Sequence, residues 1–194
     1  MKINLPTKFT IARIILIPFM IAAYLTTFLA TGKLIALILF VVAAFTDFLD
    51  GYLARKHNMV TRMGKILDPI ADKLLMLSAL LLLVADNTIP APYGVIFAIL
   101  ILGREFAVSA LRQVCASKDY VISADITGKL KTVAQDIALP LYLFVAFLNT
   151  QATPNTNLIN IVSIVAFVVL SISVLLSVIS GIYYYAKNKG CLKN

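Results

Sequence analysis

The 194-residue chain contains no tryptophan, one histidine, two cysteines and only nine acidic residues. Each shortage removes a class of function. Cys115 and Cys191 lie far apart, with no CxxC or Cys/His spacing, which argues against a zinc site or structural disulfide and for two thiols. The lone His57 sits between apolar stretches, where a solvated loop position suits it better than ligation. Charged residues make up just 13% of the chain, against 61% hydrophobic residues, and the mean hydropathy is +0.95. Soluble domains carry roughly 45–50% apolar residues, so this composition describes an integral membrane protein. No Pro/Gly/Ser linker, low-complexity tract or internal repeat divides it, and residues 1–194 read as one membrane domain.

What is abundant is basic charge and long apolar runs. The formal charge is +8, and in a membrane protein such charge sets topology and meets anionic headgroups; nucleic acid is not implied. Apolar periodicity and stop signals predict an all-α, polytopic protein of six transmembrane helices, over 9–31, 34–57, 64–86, 93–115, 130–149 and 157–186. The opening "MKINLPTKF" suits a short interfacial segment ahead of the first helix. Lys2, Lys8 and Arg13 before Ile14–Ala30 superficially resemble a signal peptide. The run is longer than an h-region and no small-x-small site follows, so it is expected to be retained. An even helix count puts both termini on one side. That side collects sixteen of the seventeen Lys and Arg residues, leaving Lys33 opposite, and is therefore expected to be the cytoplasmic side of a plasma membrane.

Three helices are short of apolar residues at that same end. Leu34–Thr46, Leu74–Ala85 and Tyr93–Gly103 hold 13, 12 and 11 residues before a charge intervenes, where about 20 are needed to span. Ionisable groups at membrane depth normally face a bundle interior or a wet cavity, so a shared cavity open to the cytoplasm is expected. Four of the nine acids fall in "DFLDGYLARKHNMVTRMGKILDPIAD", Asp47 to Asp72. Asp47 and Asp50 are three apart, and Asp68 and Asp72 four apart, which puts each pair on one helical face. A short loop makes the two helices antiparallel neighbours whose aspartates converge. Four carboxylates together repel one another and call for protons or hard cations such as magnesium, manganese or calcium. Gly51 and Gly64 would let a ligand approach the backbone, and Arg55 offers a donor fork to phosphate.

Asp47-x2-Asp50-Gly51-x2-Ala54-Arg55-x8-Gly64-x3-Asp68-x3-Asp72 resembles the signature of the CDP-alcohol phosphotransferases at every fixed position. The six-helix layout extends that resemblance over nearly the whole chain. It implies transfer of a phosphatidyl or related group from a CDP-linked donor to an alcohol, with release of CMP. It implies that Asp47, Asp50, Asp68 and Asp72 hold two Mg²⁺ or Mn²⁺ ions and that Asp72 is also the general base. Thr10, Gly51, Ala54, Arg55 and Gly64 would then line the CDP site. A homodimer is also implied.

Within the family, "NLPTKFTIARIILIP" (Asn4–Pro18), "GREFAVSALR" (Gly103–Arg112) and "GKLKT" (Gly128–Thr132) resemble the bacterial phosphatidylglycerolphosphate synthases, although Thr7 stands where that pattern often has Asn. These enzymes use CDP-diacylglycerol and glycerol 3-phosphate. Arg104, Arg112, Lys129 and Lys131 could bind the acceptor phosphate, while enforcement of topology explains basic residues there equally well. Cardiolipin synthase or phosphatidylinositol phosphate synthase would fit the same motif. A cation or proton transporter would also bury carboxylates, but the acids cluster at one end and no second copy of the motif exists. Glu105 is expected to pair with a neighbouring arginine, Asp136 receives no role, and Tyr183–Tyr185 is expected to form an interfacial belt.

Overall fold

A computed structural model describes residues 5–26, 31–56, 62–116, 126–151 and 153–188. It contains six α-helices: α1 (Leu5–Leu25), α2 (Gly32–Lys56), α3 (Arg62–Ala85), α4 (Tyr93–Ala116), α5 (Ile126–Leu148) and α6 (Thr156–Asn188). Among the described residues there is no strand. The all-α expectation therefore holds, with boundaries that differ at several ends. The described part of the expected interfacial segment is not separate: Leu5 onward is the first turn of α1, with Pro6 at a position where a missing N–H costs nothing. α3 starts at Arg62, so Pro69 lies inside it rather than at its beginning and removes the helical bond to the Lys65 carbonyl. His57 lies outside the described residues.

α1, α4, α5 and α6 each contain a stretch long and apolar enough to cross a bilayer. α2 and α3 match them in length, at 25 and 24 residues, and carry their motif aspartates towards one end. At ~1.5 Å per residue each is about 36 Å long, enough for a ~30 Å hydrocarbon core. Large apolar side chains such as Phe19, Ile99, Phe106, Ile164 and Ile182 stand exposed on the outside of the bundle, as a surface facing lipid requires.

The interior is built from interleaved small and large side chains. Ile17 and Met20 of α1 pack with Ala36, Phe40 and Ala43 of α2, Leu75, Ala79 and Leu83 of α3, Leu139, Tyr142 and Leu143 of α5, and Ala166 and Leu170 of α6. Small residues let helix backbones approach where no aqueous hydrophobic effect drives them together. Gly32 is the tightest such point, since a Cβ there would sit 2.5 Å from the Ala23 carbonyl oxygen. α1 packs on α2 and on α3 more extensively than those two pack on each other. The aspartate-bearing helices are thus neighbours, as expected, but α1 is the wedge that sets their separation.

At the end of the bundle remote from the aspartates, a polar latch ties three elements together. Asp86, just past α3, accepts hydrogen bonds from Lys33 Nζ at 2.8 Å, from Tyr24 Oη of α1, and from the Thr88 amide at 3.0 Å. Asn87 follows with φ 60°, a left-handed conformation that Asn tolerates, and its Oδ1 accepts from the Ala91 amide. Burial alone would raise the Asp86 carboxyl, but the bonds from Lys33, Thr88 and Tyr24 outweigh it and hold the group below the ordinary carboxylate range. A depressed folded-state value contributes stability above about pH 3.9 that is lost as pH falls through the lower folded value. Asp86→Asn is therefore expected to lower the melting temperature in detergent by about 3 °C at neutral pH. The difference from the unsubstituted protein should shrink below about pH 4. A difference that stays constant from pH 7 to pH 3 would contradict the ionised latch.

Candidate active site at the charged end of the bundle

Three of the four motif aspartates are described with their side chains, and α1 supplies partners to two of them. Arg13 is fully buried; its Nε donates to the Ala43 carbonyl at 3.2 Å and its Nη1 to Asp47 Oδ1. Thr10, three residues earlier on the same face and also fully buried, donates its hydroxyl to Asp68 Oδ1. One face of α1 thereby holds a carboxylate from α2 and another from α3. Asp72, one turn after Asp68, lies within electrostatic reach of both Asp47 and Arg13. Asp136 of α5 is exposed and senses the charges of Asp72 and Asp47, which puts a further carboxylate within electrostatic reach of those two. α2 carries Asp50, Gly51, Ala54 and Arg55, whose side chains lie outside those described. Gly64 is buried on α3.

Beyond Asp72 a cavity of about 570 Å³ opens between α3, α4, α5 and α6. Its wall carries Asp72 together with Lys73, Arg104, Arg112, Lys129 and Lys131. The four cations picked from sequence thus surround one space that also contains the proposed base, and Lys73 joins them. Glu105 sits among them: Lys131 and Arg104 both donate to its Oε1, the latter at 3.1 Å, and Lys73 Nζ lies 3.7 Å from Oε2. Glu105 does pair with its neighbouring arginine, but it also gathers two lysines from other helices. With two acids, Asp72 and Glu105, against five cations, the cavity retains a positive field suited to an anion.

α6 shapes this arrangement. Ser180 Oγ accepts from Arg104 Nη2 at 3.0 Å, and Ser173 donates to the Lys131 carbonyl at 3.2 Å. Gly181 allows the Arg104 stem to lie against the helix, since a Cβ there would meet Arg104 Cγ at 2.9 Å. Tyr184 corrects the expected aromatic belt. Tyr183 and Tyr185 are exposed, but Tyr184 is buried, lines the cavity, and accepts from Arg112 Nε and Nη2 at 3.2 and 2.9 Å. The Arg112 guanidinium also lies 5.2 Å from the Tyr184 ring centre, a cation–π distance. Consecutive residues on a helix point about 100° apart, so three tyrosines in a row cannot share one environment.

Among the described residues no three acidic, His or Cys side chains converge on a single metal-sized point. The donor chemistry nevertheless fits a divalent cation. Asp47, Asp68 and Asp72 are oxygen ligands only, the Asp47 side chain is 44% exposed, and hard cations favour such carboxylate sets.

Known proteins resemble the chain over nearly its whole length. The sequence pattern of the family described as CDP-alcohol phosphatidyltransferase matches residues 3–179. A relative from Bacillus subtilis (strain 168) is 40% identical, with 98% of this chain and 97% of the relative covered. One from Rickettsia felis is 39% identical (98% and 96% covered), and one from Haemophilus influenzae 37% (99% and 97%). All three bear the name CDP-diacylglycerol–glycerol-3-phosphate 3-phosphatidyltransferase. With near-complete coverage at this identity, the chain belongs to the CDP-alcohol phosphatidyltransferase family.

Proposed function

We propose that the chain transfers the phosphatidyl group of CDP-diacylglycerol to glycerol 3-phosphate, giving phosphatidylglycerol phosphate and CMP. The observation that carries this reading is the position of Asp72. It belongs to the aspartate cluster on one side and lines the cationic cavity on the other. An acceptor whose phosphate is held by Arg104, Arg112, Lys129 and Lys131 presents its hydroxyl towards that carboxylate. The names of the relatives point to the same acceptor.

The mechanism follows from the placement of charges. Asp72 takes the proton of the acceptor's primary hydroxyl as its oxygen attacks the phosphorus of the phosphatidyl group. The bond from that phosphorus to the bridging oxygen breaks, and CMP leaves with the electron pair. Asp47, Asp50, Asp68 and Asp72 would hold two divalent ions, magnesium or manganese, and these would supply positive charge against the pyrophosphate and the departing CMP. Arg13 and Thr10 fix the orientation of Asp47 and Asp68, so these carboxylates need not reorganise during the reaction. Thr10 meets the site through Asp68; a contribution to the CDP site would come by that route, alongside Gly51, Ala54, Arg55 and Gly64. The lysine and arginine asymmetry supports a cytoplasmic location at the plasma membrane for this end of the bundle and for both termini.

Purified protein in detergent with CDP-diacylglycerol and magnesium is expected to release CMP only when glycerol 3-phosphate is added. Release with phosphatidylglycerol instead would reassign the chain to cardiolipin synthesis. No release with any alcohol, with magnesium or manganese, would overturn the transferase reading.

A further inference from the structure

The cations and Asp72 account for the two ends of the acceptor and leave its middle without a partner. Gln135 of α5 is a further polar side chain of the same cavity. It is 5% exposed, it lines the cavity, and its Nε2 has no hydrogen-bond partner among the described residues. Lys131, Gln135 and Leu139 are spaced by four residues and all three line the same space. Going down this stripe, the charged group comes first, the amide about 6 Å further along the axis, and an apolar residue last. Leu80, Ile101 and Leu170 close the cavity with Leu139, so Gln135 is the last polar group on that face before an apolar floor. A buried amide donor without a partner is costly, and native structures retain such groups where a ligand satisfies them.

We infer that Gln135 is a specificity-determining residue, whose side-chain amide donates a hydrogen bond to the central hydroxyl of a three-carbon acceptor phosphate. The inference rests on the acceptor reading above and deepens it. The one-turn offset between Lys131 and Gln135 lets one side chain reach the phosphate and the other the central hydroxyl of the same small acceptor. Bound this way, the primary hydroxyl points onward to Asp72 on the facing wall. An acceptor lacking the central hydroxyl would leave the amide buried and unpaired, and the site would reject it for that reason.

The test compares glycerol 3-phosphate with 3-hydroxypropyl phosphate, which keeps the phosphate and the primary hydroxyl and lacks only the central one. The unsubstituted enzyme is expected to prefer glycerol 3-phosphate in kcat/KM by about 10- to 100-fold, the range for one lost hydrogen bond to a buried donor. In Gln135→Met, similar in volume and unable to donate, the preference should fall to near unity. Gln135→Asn, shorter but still an amide, should be intermediate and serves if the methionine variant does not fold. A merely structural role would lower activity with both acceptors and leave their ratio unchanged. A ratio near one in the unsubstituted enzyme overturns the inference, as does an undiminished ratio in Gln135→Met or Gln135→Asn. Release of CMP with neither acceptor overturns the acceptor reading itself, a distinguishable outcome.

Discussion

Asp72→Asn is expected to lower kcat by at least about 10³-fold while changing the affinity for CDP-diacylglycerol only a few-fold. The expectation comes from the two sides of this residue. Towards α1 and α2 it shares the field of Asp47 and Arg13, and towards α4 and α5 it opens on the cationic cavity. An amide keeps the size and one coordinating oxygen but takes no proton from an attacking hydroxyl. The divalent ions that bind the donor would still be held by the other three aspartates, so the loss should fall on the chemical step and not on donor binding. Steady-state CMP release, with donor affinity measured separately by titration, checks both halves. Turnover reduced less than tenfold would remove Asp72 from the base role. A parallel loss of donor affinity would make it chiefly a binding ligand.

Arg104→Met should act on the other substrate. Its guanidinium is held by Glu105 on one side and Ser180 on the other, with its stem laid against Gly181. The side chain is only 12% exposed, so little solvent screens it. Removing one member of a buried, hydrogen-bonded charge pair costs about 2–5 kcal/mol, and KM for glycerol 3-phosphate is expected to rise by about 100-fold with KM for CDP-diacylglycerol unchanged. Methionine retains the apolar stem, so packing against α6 should survive. Arg104→Lys should recover part of the loss: the charge returns, but a point charge lacks the fork that reaches Ser180 and Glu105 together. An unchanged KM for glycerol 3-phosphate in Arg104→Met would show that the cavity is not the acceptor phosphate site.

The cation cluster also explains why Glu105 belongs there. Lys73, Arg104 and Lys131 come from three helices and would repel one another without it. A single carboxylate binds them together and still leaves net positive charge for the acceptor. The donor side uses the opposite arrangement, with aspartates in the majority and one buried cation, Arg13, set against Asp47. Asp72 stands at the boundary between these fields, where the proposed function has a negatively charged acceptor meet a negatively charged donor.

The membrane class, the helix count and the aspartate pairs were determined by sequence alone, because hydropathy and spacings of three or four residues are local properties of a helix. So was the choice of Arg104, Arg112, Lys129 and Lys131, since charges at helix ends are visible wherever apolar runs stop short. The partners of these residues were decided only by tertiary structure. Arg13 and Asp47 are 34 positions apart, Thr10 and Asp68 58, Arg112 and Tyr184 72, and Arg104 and Ser180 76. Arg13 left one signal, a guanidinium inside an apolar helix, but positive-inside topology accounted for it equally well. Gln135 left less: a single amide in a span becomes informative only when packing shows its donor buried at a cavity without a hydrogen-bond partner among the described residues. Helical period tells which residues share a face, whereas the angle and depth at which α1, α5 and α6 meet their neighbours depend on contacts distributed over the whole bundle.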